Sequence, residues 1–447
     1  MPPSPRASDE TTGSGLIGRI AGVHGSERAL VLLAAATFFF VLASYYVLRP
    51  IRDEIGVLGG GERLPWLFLG TLCATLALNP AFAALVARLP RARVATWSYR
   101  SLMACLGAFF LLLRDPATAP AWVGPVFFVW VSVFNLFAVS LFWTVMTDAL
   151  RNGQARRLFG LAAAGGTLGG LVGGLLTGVL AGHLGAAPLL LVSAALLECG
   201  LRALRALSAR AAAGTSEQAR IVHAPVGGSA FEGMAQILRS PYLAGIAAFI
   251  ALFTVGSTFL YYLQAQIVAA AFADRLARIA FFARIDVCVN AATLLLQLFA
   301  TGRVFTRIGT TAMLCVLPLL SLAGFAALAA APVAGVLVVF QVLRRTADFA
   351  FMRPARESLY VPLERADKYK AKNLIDTFVY RGGDQLGIWA QGALVAVGFG
   401  ISAIAAVGVP LAAAWLALAL WLGRAHARLP EKTDSDAAPR AVAAAPT

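Results

Sequence analysis

The chain has 447 residues, 59% of them hydrophobic and only 13% charged, with a mean hydropathy of +0.77. That is the balance of an integral membrane protein, with room for about a dozen helices at roughly 20 residues per crossing. A net charge of +15 does not indicate nucleic-acid binding, because the basic residues fall in short loops between apolar segments, where they set topology.

Residues before Glu27 are polar and rich in Gly, Pro and Ser, so 1–28 is expected to be a disordered cytoplasmic N-terminus without a cleavable signal. Apolar runs then predict twelve spans. The first six cover 29–50, 65–87, 94–113, 121–149, 158–182 and 187–206. The second six cover 241–270, 277–301, 310–330, 333–359, 373–396 and 400–423. A polar, Ala/Gly-rich linker at 207–240 separates two six-helix bundles, 29–206 and 241–423, and 424–447 is a tail. Alternate loops hold Arg88, Arg91, Arg93 and Arg100, then Arg151, Arg156 and Arg157, then the linker arginines, Arg303, Arg307 and the turn Glu364–Lys372. The opposite loops hold only Arg49, Arg52, Arg63, Arg114, Arg275 and Arg278. The excess of positive charge on one side puts both termini and the linker in the cytoplasm.

The halves resemble each other. Tyr45-Tyr46 has a counterpart in Tyr261-Tyr262, Gln154–Leu158 in Lys370–Leu374, and Gly165–Gly169 in Gly382–Gly387, at offsets near 216–217 residues. Parallel six-helix repeats about an axis normal to the membrane are the basis of the major facilitator architecture. The fold class is therefore an all-α polytopic membrane protein of two six-helix repeats, major facilitator-like.

Charges inside the spans point to function, since a charge at mid-bilayer costs on the order of 2.5–3.5 kcal/mol even on the lenient insertion scale. The first helix ends Arg49-Pro50-Ile51-Arg52-Asp53-Glu54. Pro50 kinks or ends it, and Arg49 and Asp53 have i,i+4 spacing, as an interfacial cap or as an anion-recognition group. In the fourth, Ser132, Asn135, Ser140, Thr144 and Thr147 interrupt an apolar run, which reads as bonding to a neighbouring helix. The fifth carries Gly165, Gly169, Gly173 and Gly166, Gly170, Gly174, two series stepping by four that make a small-residue packing seam. A phosphate loop would need a Gly-Lys-Ser/Thr ending, which is absent.

Gln264 and Gln266 lie on the seventh helix, and Arg284, Asp286, Asn290 and Gln297 on the eighth. The tenth offers Arg344 with Asp348 and Arg353 with Glu357 at i,i+4, as self-neutralising or gating pairs, and Arg356 beside Glu357. On the eleventh, Arg381 and Asp384 share a face. Arginine is a permanently charged bidentate donor suited to phosphate or carboxylate. The five cysteines lie in apolar runs and read as packing residues, and the four histidines lack metal-ligand spacing.

Leu48-Arg49-Pro50-Ile51-Arg52-Asp53, Leu141-Phe142-Trp143, and above all Pro354–Pro362 followed by Lys370-Ala371-Lys372 and Ile375-Asp376 resemble the ATP/ADP translocase (NTP/NDP exchange transporter) family of the major facilitator superfamily, in a divergent bacterial branch. The resemblance spans nearly the whole membrane part. It implies nucleotide exchange by alternating access, without hydrolysis, across a bacterial inner (plasma) membrane. Arg52 falls where that family has a functional lysine, and Arg356-Glu357 on its Lys-Glu pair. The family's helix-four glutamate has no counterpart here (the nearby positions are Val131 and Asn135). Its helix-seven glutamate is replaced by Gln264 or Gln266, and its helix-eleven lysine by Asp384.

These readings converge on a transporter of an organic anion, with a nucleotide of ATP/ADP type as candidate, in which two bundles rock around a central site. Arg52, Arg356 and Arg381 are the expected anion-binding groups. Asp53, Asp286, Glu357 and Asp384 are candidates for gating pairs or proton coupling, and Asn135, Gln264 and Arg284 complete the substrate-binding set. The tyrosine pairs read as packing rather than base stacking. No catalytic constellation, cofactor or metal site is expected, so the chain is not read as an enzyme. The expected partners are a small anionic solute and the lipid bilayer, not nucleic acid, and nothing points beyond a monomer. The alternatives are a proton-coupled carrier of another solute and a non-transporting membrane scaffold or sensor, whose buried charges would all be self-paired.

Overall fold

The computed structural model describes residues 28–58, 62–88, 91–115, 118–149, 152–213, 237–299, 301–363, 371–372 and 374–429. The expected N-terminal disorder, the middle of the linker, most of the Glu364–Lys372 turn and the end of the tail lie outside them. The helices are α1 (Arg28–Val57), α2 (Leu64–Arg88), α3 (Arg91–Leu113), α4 (Val123–Ala149), α5 (Asn152–Leu184), α6 (Ala186–Ala213), α7 (Pro241–Ala271), α8 (Arg275–Phe299) and α9 (Thr301–Ala330). They continue with α10 (Ala334–Ala347, prolonged through Asp348–Met352 to Arg353–Ser358), α11 (Ile375–Val379 prolonged by Tyr380–Ala396) and α12 (Ile401–Ala427). Each expected span overlaps one of these. Among the described residues nine helices are long and apolar enough to cross a bilayer. The protein is an all-helical, multi-pass membrane protein.

The chain divides into two compact units. Unit 1 takes the described parts of Met1–His223 with Gln264–Leu298, and unit 2 those of Ala224–Leu263 with Phe299–Thr447. Helix α8 thus folds with α1 to α6.

Inside unit 1 the glycine series explains how α5 sits on α1. A Cβ at Gly165, Gly169 or Gly173 would overlap the carbonyl oxygens of Ala35, Phe39 and Ala43. The second series faces other partners: Gly166 lies against Phe38, Gly170 against Asn290 and Gly174 against Val287, the last two on α8. The glycines let the backbones approach more closely than any side chain would allow. Ser44 and Ser193 tie α1 to α6 through a 2.8 Å hydrogen bond, and the Tyr99 hydroxyl donates to the Ala138 carbonyl at 3.0 Å, joining α3 to α4. Two hydroxyls of α4 bond back on their own helix. Ser132 donates to Phe128 O and Thr144 to Ser140 O, one turn back on their own helix. Such back-bonding satisfies a hydroxyl at membrane depth without a neighbour.

Unit 2 repeats the device with α11 on α7. A Cβ at Gly383 would meet Thr254, and one at Gly387 would meet Val255 and Thr258. Its core gathers Phe249, Phe253, Leu314, Tyr360, Ile375 and Trp415. Helix α9 kinks at Gly309, whose φ of 72° is open to glycine without strain.

Two five-residue π-helical segments, Asp348–Met352 in α10 and Ile375–Val379 in α11, flank the charged stretch. In the first, the Arg353 N–H bonds Asp348 O, five residues back. Pro354 follows at once; its ring would crowd the carbonyl four residues earlier, and the wider turn relieves that conflict. All five cysteines are free, and Cys73, Cys199 and Cys288 are exposed on helix faces, so the packing role expected for the set fits Cys315, the buried one.

Candidate functional site

In unit 1 the charged end of α1 meets α8. Arg49 Nη1 donates to Asp286 Oδ1 at 2.9 Å, while its Nε lies 3.6 Å from Asp53 Oδ2. Asp53 also receives Arg52 Nη1 at 3.5 Å, and the Arg52 guanidinium rests 4.4 Å from the centre of the Phe128 ring. One turn further, Glu54 is fully buried and accepts from Arg275 Nε at 3.0 Å and from Arg278 Nη2 at 3.1 Å. Arg278 Nη1 also donates to the carbonyls of Phe272 and Ala273, which fixes the turn before α8. Asn290 donates to the Asp286 carbonyl at 2.8 Å, one turn along α8.

Helical spacing explains why these groups gather. Arg49 and Asp53 share a face of α1; Arg275, Arg278 and Asp286 come from the first half of α8, which the α5 glycines allow to approach closely. Arg275 also lines a cavity of about 290 Å³ with Arg114, Ile51 and the α5–α6 turn at Gly185. Of the other unit 1 candidates, Gln264 is buried, Asn135 half-buried and Arg284 exposed on α8, away from the cluster that holds Asp286.

Unit 2 holds the remaining candidates. Arg356 Nη2 lies 3.7 Å from Glu357 Oε1, and Arg356 Nη1 lies 3.8 Å from Asp376 Oδ1. Glu357, whose side chain is 49% exposed, also pairs with Lys372. Arg381 Nη1 sits 3.4 Å from Asp384 Oδ2, and Thr258 Oγ1 is 3.5 Å from Asp384 Oδ1.

The two i,i+4 pairings expected on α10 do not form. Asp348 pairs with Arg353 at 3.4 Å, five residues on, because the π-turn brings i and i+5 to one face. Arg344 instead bonds hydroxyls, and Glu357 turns to Arg356 and Lys372.

Sequence reasoning singled out Arg52, Asp53 and Asp286 but missed Glu54, Arg275 and Arg278 as partners. A signal was present: a carboxylate ending one helix and arginines opening another, both on the side poor in positive charge. Arg52 belongs to unit 1, and Arg356 and Arg381 to unit 2.

No family model matches the chain, and no curated protein sequence matches it. Solved structures do. A point mutant of the nucleoside transporter NupG is similar over 90% of this chain and 99% of its own, with a TM-score of 0.58 and 16% identity. A bacterial homologue of the human lysosomal transporter Spinster, inward-facing and unoccupied, covers 91% of this chain and 97% of its own at TM-score 0.56 and 14% identity. An auto-inhibited POT family peptide transporter covers 90% and 98% at TM-score 0.60 and 13% identity. The chain shares the fold of these three transporters. Identities this low carry the fold and nothing finer.

Proposed function

We propose that the protein is a bacterial inner-membrane transporter that moves an organic anion by alternating access. The observation that carries this reading is a set of arginines set among apolar helices in a fold whose solved neighbours are transporters. A permanently charged group within a bilayer is tolerated where it faces protein, water or a ligand of opposite charge. Arg52, Arg356 and Arg381 hold their carboxylates at 3.4 to 3.8 Å, longer than a well-formed charged hydrogen bond, so a substrate oxyanion can replace those contacts at small cost.

The tighter pairs of α1 and α8 suit a latch. With both termini cytoplasmic, the end of α1 lies on the outer side, and Arg49–Asp286 and Glu54–Arg275/Arg278 hold that side shut until they part. The resemblance of the Arg356–Asp376 block to the ATP/ADP translocases makes a nucleotide the first solute to test, and exchange the first mode.

The experiment is uptake of labelled nucleotides, and of other phosphorylated and carboxylated anions, into proteoliposomes with and without internal substrate. Uptake that requires internal nucleotide supports exchange, and uptake driven by a pH gradient alone supports a proton-coupled carrier. Arg52→Ala and Arg356→Ala are each expected to lower it at least tenfold, a loss of about 1.4 kcal/mol of binding. Full uptake of every solute by both variants would remove these arginines from the substrate path.

A further inference from the structure

Arg344 on α10 is the arginine that none of the preceding roles absorbs. It is 5% exposed. Its Nε donates to Ser321 Oγ at 3.2 Å, and its Nη2 to Ser257 Oγ at 2.9 Å and to Phe253 O at 3.4 Å. The guanidinium lies 5.4 Å from the centre of the Phe253 ring. Among the described residues no carboxylate makes an ion pair with it; Asp348, one turn on, pairs with Arg353 and acts on Arg344 only through space. Hydroxyls, a carbonyl and an aromatic face solvate the cation without neutralising it, and it cannot shed its proton.

A second observation lies beside it. Trp415 Nε1 on α12 is buried and has no hydrogen-bond acceptor, although a buried indole N–H ordinarily finds one. Trp415 and Ser321 line one narrow cleft in unit 2 with Leu252, Gly256 and Phe325. Gly256 carries the cleft up to the guanidinium, for a Cβ there would stand 3.9 Å from Arg344 Nη2. Ser321 and the orphaned indole N–H border that cleft, and Arg344 reaches its wall through its bond to Ser321, with no ion pair to a carboxylate among the described residues. That is the chemistry that receives an oxyanion. The cleft is too narrow here to hold a water molecule, so its walls must part to admit an anion.

We propose that Arg344, Ser257, Ser321 and Trp415 form an oxyanion subsite in unit 2, which takes the carboxylate or phosphate of an organic anion. That this anion is the cargo rests on the transporter reading above; the subsite itself does not. Arg344 supplies the charge, the two serines orient its guanidinium, and the indole N–H becomes satisfied when the anion arrives.

The test uses the full chain in detergent. Thermal unfolding and tryptophan emission are followed on adding inorganic phosphate, acetate or chloride at matched ionic strength. Phosphate or acetate is expected to raise the unfolding temperature and to change the emission, and chloride to do neither. Stabilisation by phosphate but not acetate assigns a phosphate-bearing ligand, and the reverse a carboxylate. Arg344→Gln should abolish the response. Trp415→Phe should remove the emission change and, together with Ser321→Ala, weaken apparent affinity about three- to tenfold for one lost hydrogen bond each. If Arg344→Gln does not fold, those two milder variants decide the matter. A wild-type protein indifferent to both oxyanions, an equal response to chloride, or variants that respond like wild type would overturn the subsite. Proteoliposome uptake separates the two ideas. Anion uptake by wild type with an Arg344→Gln variant unchanged in both uptake and phosphate response sinks the subsite and leaves the transporter; an Arg344-dependent phosphate response without uptake of any anion does the reverse.

Discussion

Buried arginines occur in both units, and they are treated differently. In unit 1, Arg49 and Arg278 each meet a buried carboxylate at 2.9 to 3.1 Å, and Glu54 is shared with Arg275. In unit 2, Arg344 is as deeply buried and meets only hydroxyls, a carbonyl and a ring, while Arg356 and Arg381 face their carboxylates across 3.4 to 3.8 Å. A charge held against a tight counter-charge is suited to fastening helices together, and breaking it is expensive. One left uncompensated is suited to a partner that arrives from solution. That contrast is the ground for proposing closure at the α1–α8 cluster and ligand recognition at the arginines of α10 and α11.

The sharpest way to break that contrast is to remove Glu54. Glu54→Gln leaves Arg278 buried without a counter-charge, and a broken buried pair costs about 3–5 kcal/mol. Thermal unfolding of the purified protein should show the largest loss of any single charge substitution. A shift no larger than that of an exposed pair would mean that water reaches Arg278 and that the cluster is no latch. Asp286→Asn comes next. Arg49 keeps Asp53 at 3.6 Å and loses its 2.9 Å partner, so about 1.5–3 kcal/mol is expected, the range for a hydrogen bond to a charged group. Exchanging the two as Arg49→Asp with Asp286→Arg should recover part of it. A double-mutant coupling below about 0.5 kcal/mol would dissolve the pair as an energetic unit.

What the sequence made legible follows from what is local. Helix positions come from apolar run length, and the α5 seam from glycines four apart; both depend on residues within a few turns of each other. The partner of Arg49 lies 237 residues away, and nothing in α1 alone says whether Asp53 or Asp286 will claim it. Spacing also fails where the backbone departs from the α-helix. The i,i+4 rule paired Arg344 with Asp348, and the π-turn ahead of Pro354 gave Asp348 to Arg353 instead. That shift leaves Arg344 without an ion pair among the described residues, so an informative charge in unit 2 was hidden by one irregular turn.

Two weaker substitutions set the floor of the scale. Glu357 is half exposed and shared between Lys372 and a 3.7 Å contact to Arg356, so Glu357→Gln should change stability by less than about 1 kcal/mol while still lowering anion uptake. The smallest effect belongs to Glu198 on α6, which bridges Arg100 of α3 at 3.0 Å and Arg202 of its own helix at 3.0 Å, with both arginines exposed. By distance alone this cluster matches the Glu54 cluster. Its guanidinium groups keep their water, however, so the ion pairs replace hydration rather than a void, and Glu198→Gln should cost only about 0–1 kcal/mol and leave uptake unchanged. Equal losses from Glu54→Gln and Glu198→Gln would show that ion-pair distance, not burial, sets the strength of these contacts, and the division between latch and ligand arginines would lose its physical basis.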